Sequence, residues 1–280
     1  MKAISAIGVF GAIILLAVGA TVEGTSVIGL LNLPAALIVL GGTLGATMAG
    51  TSFDRIKAIP ALYLKAFKGE ELDLIRRHTV LTDLAERARR EGLLALDQDV
   101  ADIEDEFTRK GVQLVVDGAD PEVVREIMEV QIDGMAHRHA TYADTFEKAA
   151  GFAPTMGIIG TVMGLISVLK NLSDPASLGP SISVAFIATL YGVGMANVVF
   201  LPVANKLKQL SREEVELRTM SLEGILAIQA GENPRVVSDK LLSFVPPAQR
   251  PPEDGALGGP GGGSGGGSID DVAPDEQIAA

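Results

Sequence analysis

The sequence predicts an all-α membrane protein with four transmembrane helices, a helical cytoplasmic domain between the second and third spans, and a disordered C-terminal tail. The first basis is a set of four apolar segments without a charged residue, because about 20 such residues cross the ~30 Å hydrocarbon core of a bilayer. The second is the uneven distribution of Lys and Arg around those segments. The third is a change to Gly, Pro and acidic residues after Arg250.

The first two apolar segments predict a transmembrane hairpin over residues 1–50. Residues 4–22 carry no charge over 19 positions, and residues 28–50 carry none over 23. A cleaved signal peptide is the alternative for the first segment, but its apolar run is longer than the core of a typical signal peptide. Because a second segment follows after a short connection, two antiparallel transmembrane helices explain the pair better.

Two later apolar segments, residues 152–169 and 182–203, predict a second hairpin over residues 152–203. Residues 51–151 then form a cytoplasmic helical domain, and residues 204–250 form a further cytoplasmic helical segment. These boundaries follow from hydropathy alone, since they mark where charged residues resume.

Basic residues next to the membrane set the orientation. On one side the only basic residue is Lys170, whereas the side that contains both termini carries nine. Those nine are Lys2, Arg55, Lys57, Lys65, Lys68, Lys148, Lys206, Lys208 and Arg212. The positive-inside rule therefore predicts a multi-pass protein of the cytoplasmic (inner) membrane with both termini in the cytoplasm.

Within the cytoplasmic domain, apolar residues recur at helical spacing from Leu93 through Leu96, Val100 and Ile103 to Phe107, which predicts one amphipathic helix. Asp120-Pro121-Glu122 predicts the start of the next helix, because Asp caps helix N-termini and Pro fits the first turn. We expect that helix to continue into the third span.

The C-terminal tail, residues 251–280, is rich in Gly, Pro and Ser and carries six acidic residues without a basic one. Such a composition cannot form a core, so we expect disorder. The tail also supplies half of the formal net charge of −12.

Several function classes are disfavoured by composition. The acidic balance does not supply the clustered Lys and Arg that nucleic-acid binding needs. There is no Cys, and the pair His137 and His139 diverges on a helix, so we expect no metal site. No nucleophile elbow, phosphate-binding loop or zinc motif is present, so we expect neither an enzyme nor a cofactor.

The last two spans contain hydroxyl side chains among small residues, including Thr161 and Thr189. Such hydroxyls can solvate a cation or water, although each alone can equally be a helix-packing hydrogen bond. None of the four spans contains an ionisable residue, which ion-coupled machines usually need at membrane depth. If ions pass here, another chain must supply the carboxylate; the alternative is a structural membrane scaffold.

Several segments resemble the MotA family of flagellar motor stator subunits, within the MotA/TolQ/ExbB proton channel family. These are ARREGLLALD (88–97), GADPEVVREIME (118–129), GFAPTMGIIGTVMGL (151–165), AFIATLYGVGMAN (185–197), LPVANKLK (201–208) and EGILAIQAGENPR (223–235). The resemblance extends over roughly residues 1–245. ExbB and TolQ proteins, which energise outer-membrane transport, share the last two spans but usually have three spans, so they are the alternative.

The resemblance implies a homopentamer around two copies of a single-span, peptidoglycan-binding MotB partner, whose membrane Asp carries the coupling ion. Ion flow would then produce torque on the rotor protein FliG. The matching ion-pathway positions are Thr161 and Thr189. Sodium-driven relatives tend to have two adjacent Thr before Leu-Tyr-Gly, whereas this chain has Ala188-Thr189, so the resemblance favours H⁺ over Na⁺.

The resemblance also implies a rotor interface and two coupling positions. The family pairs an Arg with an acid eight positions on, which Arg89 and Asp97 match, with Arg90 beside the first. Pro154 and Pro202 match family prolines at the cytoplasmic ends of the last two spans. Physically, Pro154 suits a first helical turn, and Pro202 can kink the end of the fourth span.

Overall fold

The computed structural model describes residues 2–68 and 73–250, and the predicted disordered tail at 251–280 lies outside the described residues. Every regular element of the described residues is helical, which confirms the all-α class. The helices are α1 (Lys2–Val22), α2 (Leu33–Ala49), α3 (Phe53–Lys68), α4 (Leu74–Glu91), α5 (Asp97–Val100), α6 (Glu106–Val116), α7 (Pro121–Lys170), α8 (Pro175–Gln229) and α9 (Pro234–Leu242). Short 3₁₀ turns occupy Ile28–Leu30, Leu93–Leu96 and Pro247–Gln249.

Two of these helices, α7 and α8, are long and apolar enough to cross a membrane, with 50 and 55 residues. At 1.5 Å per residue each is about 75–80 Å long, far more than a bilayer needs. The hydropathy boundaries at 151/152 and 203/204 therefore do not coincide with helix ends. The apolar helices Ile7–Val22 and Leu33–Ala49 are shorter.

The start of α7 is at Pro121, as the Asp120-Pro121-Glu122 motif predicts. Asp120 is the N-cap residue by backbone conformation, although its side chain makes no capping hydrogen bond. Asn171 to Asp174 connect α7 to α8, and Asp174 accepts a hydrogen bond from the backbone N–H of Ala176 at 3.2 Å. The two long helices thus form an antiparallel hairpin.

The prediction of one amphipathic helix over residues 93–107 is wrong. Gly92 has a φ of +89°, a conformation that only Gly adopts without strain, and it ends α4. A 3₁₀ turn, the short α5 and an irregular stretch follow before Asp105 caps α6. The apolar spacing nevertheless predicts burial correctly, since Leu96 and Phe107 lie in the larger hydrophobic core of the described residues.

That larger core joins the early and late parts of the chain. Leu81 of α4, Met128 of α7, Ile225 of α8 and Leu241 of α9 are all buried within it. Burial of each such side chain contributes about 1.5–3 kcal/mol. A second core lies closer to the apolar ends of α7 and α8, where Phe146 packs among small residues of both helices.

The larger core is closed by a polar cluster around Arg77. Its guanidinium, with a side chain only 12% exposed, lies 2.6 Å from Asp105 Oδ2 and donates to Ser221 Oγ at 2.8 Å. Asp105 also accepts from the backbone N–H of Thr108 at 2.7 Å, which caps α6. Burial raises the pKa of Asp105, but the hydrogen bonds from Arg77 and Thr108 outweigh it and lower the pKa to about 2.

We expect Asp105→Ala to destabilise the domain around the larger core by about 2 kcal/mol, because it removes a helix cap and leaves Arg77 without its carboxylate. The folded pKa of Asp105 lies below its ordinary value of 3.8, so its contribution is present above that pH and is lost as pH falls toward about 2. Thermal unfolding followed by circular dichroism at several pH values checks both points. The exposed Asp102→Ala is the control, and equal unfolding temperatures for the two variants would contradict the prediction.

Candidate functional site

The helices α7 and α8 approach each other through small residues in their apolar halves. A Cβ atom added to Gly192 would lie 2.5 Å from the carbonyl oxygen of Ala153, and one added to Gly164 would lie 2.8 Å from Ala185 Cβ. Neither position has room for a side chain. The two backbones therefore pack directly against each other, and this contact, with Gly157 and Gly160 between its ends, is called the glycine seam below.

The glycine seam brings together the two predicted ion-pathway residues. The hydroxyl oxygens of Thr161 and Thr189 are in direct contact, and both residues are half-buried. Thr161 Oγ1 also lies 3.1 Å from the carbonyl oxygen of Gly157 and 3.0 Å from that of Ala185. The pairing of these threonines, 28 positions apart, follows from the register that the glycines impose.

The carbonyl contacts fix the direction of the hydroxyl protons. A carbonyl oxygen can only accept, so Thr161 must donate to Gly157 or Ala185, and Thr189 can then donate to Thr161. This arrangement leaves the lone pairs of Thr189 Oγ1 without a hydrogen-bond donor among the described residues. The pair can therefore accept hydrogen bonds from water or coordinate a cation. Threonine hydroxyls neither lose nor gain a proton at neutral pH, however, so the pair cannot itself act as the proton carrier.

Tyr191 joins α8 to the connection before α2, a role that sequence reasoning missed. Its hydroxyl donates to the carbonyl oxygen of Leu30 at 2.5 Å and accepts from the backbone N–H of Asn32 at 3.1 Å. Asn32 in turn caps α2 by accepting from Ala35 at 3.0 Å. The available signal was the Asn32-Leu33-Pro34 sequence, which is typical of a helix start.

The two prolines occupy different helical environments. Pro154 lies inside α7, so the expectation that it begins a helix is wrong; the third span continues a helix that started 33 residues earlier. Its missing N–H leaves the carbonyl of Ala150 without an intrahelical partner. Pro202 follows a π-helical segment, Met195–Phe200, whose wider turns interrupt the regular α-helical ladder directly before it.

The predicted rotor-interface residues are all exposed. Arg89 and Arg90 lie in the last turn of α4, and Asp97 begins α5 beyond the break at Gly92. The structure does not pair Arg89 with Asp97, and these three residues form no ion pair with the rest of residues 2–68 and 73–250. Their charges are therefore available to another molecule.

The neighbouring Arg87, rather than Arg89 or Arg90, makes contacts with other side chains of this chain. It contacts Asp99 directly, lies 3.3 Å from Glu91 Oε2 and donates to Gln98 Oε1 at 3.2 Å. Sequence reasoning did not single it out, because Arg87 and the adjacent arginines differ only in which helix face they occupy. Beside it, Arg90 lines a charged cleft of about 760 Å³ between α4 and residues 99–108.

The two histidines considered for metal binding do not converge with other ligands. Among the described residues there is no group of three or more His, Asp or Glu side chains placed to hold a metal ion. His139 Nδ1 lies 3.8 Å from Glu214 Oε2. Burial lowers the pKa of His139, although Glu214 opposes this shift, so the imidazole is neutral near pH 7.

Comparisons with known proteins identify the family. Residues 99–220 match the model of the MotA/TolQ/ExbB proton channel family. Motility protein A of Borreliella burgdorferi is 40% identical over 250 residues, which cover 89% of this chain and 95% of the relative. Motility protein A of Bacillus subtilis is 38% identical over 251 residues, with 89% and 93% covered.

The chain belongs to the MotA/TolQ/ExbB proton channel family.

Two solved structures agree with this assignment. The structure of C. jejuni MotAB superposes with a TM-score of 0.85 at 32% identity, covering 92% of this chain and 100% of that chain. The flagellar MotAB stator complex from Bacillus subtilis gives a TM-score of 0.81 at 38% identity, covering 86% and 94%. Within the MotA/TolQ/ExbB family the chain is therefore a flagellar stator subunit of the membrane, rather than an ExbB- or TolQ-like transport energiser.

We expect Gly192→Ala to separate α7 and α8, because the added methyl group would meet a backbone oxygen that cannot move independently. The expected result is a loss of about 1–3 kcal/mol of stability together with impaired motility. Thermal unfolding of the purified protein and a swimming assay measure the two effects. Gly194→Ala is the matched control, since an added Cβ there meets nothing within 4 Å; equal behaviour of the two variants would show that the seam tolerates a methyl group.

Proposed function

We propose that this stator subunit spans the inner membrane four times, at residues 4–22, 28–50, 152–169 and 182–203, with both termini in the cytoplasm. The uneven Lys and Arg distribution supports this orientation. Exposed apolar side chains along α1, such as Phe10 and Leu15, support a lipid-facing first span. Residues 51–151 and 204–250 would then form the cytoplasmic part.

We further propose that the subunit works with a MotB-type partner, a single-span, peptidoglycan-binding protein. The two solved structures named above are MotAB complexes. The contact between the Thr161 and Thr189 hydroxyls carries this proposal, because it places oxygen ligands in spans that contain no ionisable residue. A proton-conducting path needs a titratable group, and the partner's carboxylate would supply it. Five copies of this chain around two partner copies are the expected assembly.

In this proton-conducting path the chain would orient the coupling ion, and the carboxylate of the partner would bind it. The carbonyl oxygens of Gly157 and Ala185 accept the hydroxyl proton of Thr161, and Thr189 donates its own proton to Thr161, so the lone pairs of Thr189 Oγ1 are left to accept from an arriving hydronium ion or from water. The chain would be neither an enzyme nor a cofactor-binding protein, since conduction of this kind makes and breaks no covalent bond other than O–H bonds.

We infer that protons, rather than sodium ions, are the coupling ion. Sodium needs several oxygen ligands to replace its water, and the residue beside Thr189 supplies none, because it is Ala188. Packing gives a reason why a small residue occupies position 188. Ala188 is fully buried, and its Cβ lies 2.6 Å from the position that a Cβ added to Gly160 would take. A larger, hydroxyl-bearing side chain at position 188 would therefore disturb the glycine seam.

Torque would reach the rotor protein FliG through Arg89, Arg90 and Asp97. Their charges are exposed and unpaired within the described part of the chain, whereas Arg87 is held by its own domain. Pro154 and Pro202 would couple ion passage to this surface, because each interrupts the hydrogen-bond ladder of a helix that runs from the glycine seam into the cytoplasm.

We expect Thr161→Ala and Thr189→Ala together to reduce proton flux and swimming by at least tenfold, whereas Thr161→Ser, which keeps a hydroxyl, retains most of the function. Proton uptake into vesicles that contain the stator complex, and swimming with and without sodium, measure the effects. Normal flux at normal protein level would mean that the hydroxyls only pack helices. Swimming that stops when sodium is removed would overturn the choice of ion.

We expect the double change Arg89→Glu and Arg90→Glu to abolish swimming in viscous medium while leaving membrane assembly intact, because both side chains are exposed and form no ion pair among the described residues. Stator recruitment to the motor and the yield of assembled complex are the measurements. Arg125→Glu, at a charged surface elsewhere in the cytoplasmic domain, is the control. Normal swimming of the double variant would remove this surface from the rotor interface.

A further inference from the structure

A short turn joins α4 to α5 and presents one apolar side chain to solvent. Leu94 is 78% exposed, and within the described residues 73–116 it is the only large apolar side chain that is exposed. Leu96 of the same turn is fully buried, and Leu93 packs against the larger core. Core packing therefore accounts for two of the three leucines and leaves the exposure of Leu94 unexplained.

The backbone of this turn is held by hydrogen bonds at both ends. Gly92, with its φ of +89°, ends α4, and its carbonyl oxygen accepts from the N–H of Ala95 at 3.2 Å. The carbonyl oxygen of Leu94 accepts from the N–H of Asp97, which begins α5. Both hydrogen bonds span the turn, so the backbone that carries Leu94 is fixed before any partner arrives.

Arg87 connects the two helices that flank the turn. It contacts Asp99 of α5 directly and lies 3.3 Å from Glu91 Oε2 in the last turn of α4. Its guanidinium thereby links α4 to α5 across the turn and balances the charge of two neighbouring carboxylates. A side chain on such a rigid support loses less conformational entropy on binding than one on a mobile loop.

The remaining charges flank Leu94 along the chain with opposite signs. Arg90 lies four positions before Leu94 and Asp97 three positions after it, and both are exposed. Arg89 adds a second exposed positive charge on the N-terminal side. An apolar side chain inside a polar rim that excludes water is the usual centre of binding energy in a protein interface. This arrangement fits a partner that has an apolar pocket between an acidic and a basic side chain.

The size of this surface favours a transient contact over a stable one. It comprises one apolar side chain and three charged ones, whereas a stable interface buries about 800 Å² on each partner, contributed by roughly 20–30 residues. A patch this small cannot hold a second copy of this chain by itself. A contact that pushes a moving rotor must form and release repeatedly, and a small interface allows fast release.

We propose that Leu94 is the apolar anchor of the rotor contact and inserts into an apolar pocket of the rotor protein. Burial of its side chain slows release of the rotor, whereas the flanking charges of Arg89, Arg90 and Asp97 steer its approach. This inference rests on the rotor interface proposed above and adds to it the main source of binding energy.

Binding kinetics separate the anchor from the charges. The complete complex of this chain with its partner is immobilised in lipid nanodiscs, and purified FliG flows over it at low and at high salt. Leu94→Ala should raise the dissociation rate about tenfold, because most of the apolar burial is lost, and should leave the salt dependence unchanged. Leu94→Met, which conserves apolar volume, should stay within about threefold of the parent. Val236→Ala, at an exposed apolar position of α9, is the matched control and should equal the parent.

Charge reversal distinguishes failure of this inference from failure of the rotor interface. The double change Arg89→Glu and Arg90→Glu should slow association and flatten its salt dependence. If it does so while Leu94→Ala behaves as the parent, the rotor interface stands and the apolar anchor is rejected. If FliG binds the parent and all variants alike, or does not bind the parent, the rotor interface itself is rejected.

Photo-cross-linking in swimming cells tests the occupant directly. A benzoylphenylalanine side chain at position 94 should form an adduct with FliG, and the same group at position 236 should not. The exposure of both positions leaves room for the bulky group in the free protein. An adduct from position 94 to a second copy of this chain would overturn the choice of occupant, and so would equal yields of the FliG adduct at both positions.

Discussion

The close approach of α7 and α8 is the constraint on which the rest of the molecule depends. In lipid, helices gain little from burying apolar surface against each other, so association relies on packing and on polar contacts between helices. Gly157, Gly164 and Gly192 provide that packing by removing the side chains that would hold the backbones apart. The register they impose places Thr161 against Thr189 and aligns the more polar halves of the same helices.

The same constraint explains why the site is incomplete in one chain. A seam narrow enough for backbone contact admits hydroxyl groups that bond to neighbouring carbonyls, as Thr161 does. A carboxylate there would have to be desolvated without a compensating charge, which costs several kcal/mol. The proposed function agrees with this cost, since it gives this chain a fixed set of dipoles and assigns the titratable group to a separate chain.

Sequence patterns predict much of this molecule because most of its elements obey local rules. Uncharged runs locate the apolar helices, Asp120-Pro121 locates the start of α7, and the helical class is confirmed throughout the described residues. The patterns fail where tertiary context decides. Spacing over residues 93–107 indicates one helix, but Gly92 and Asp105 divide it. Hydropathy places a boundary before Pro154, whereas the helix continues through it.

The candidate site around Thr161 and Thr189 was predictable only in part, because its contacts also depend on tertiary structure. Thr161 and Thr189 stand out as hydroxyls among apolar neighbours, and family motifs indicate their role. Their mutual contact, the anchor from Tyr191 to Leu30 and the choice of Arg87 over Arg89 as the internal partner depend on three-dimensional register. No spacing rule along the chain contains that information.

The larger hydrophobic core also constrains the order in which the protein can fold. Leu81 packs against the backbone of Gly224, yet both apolar segments of the second hairpin lie between them in the chain. A ribosome delivers Leu81 long before its partner, so the early part of the domain must wait, with its apolar surface uncovered, until residues 152–203 have been synthesised. Synthesis of the second apolar hairpin therefore precedes closure of this core. Delayed insertion of the second hairpin would prolong exposure of a half-formed core to chaperones and proteases.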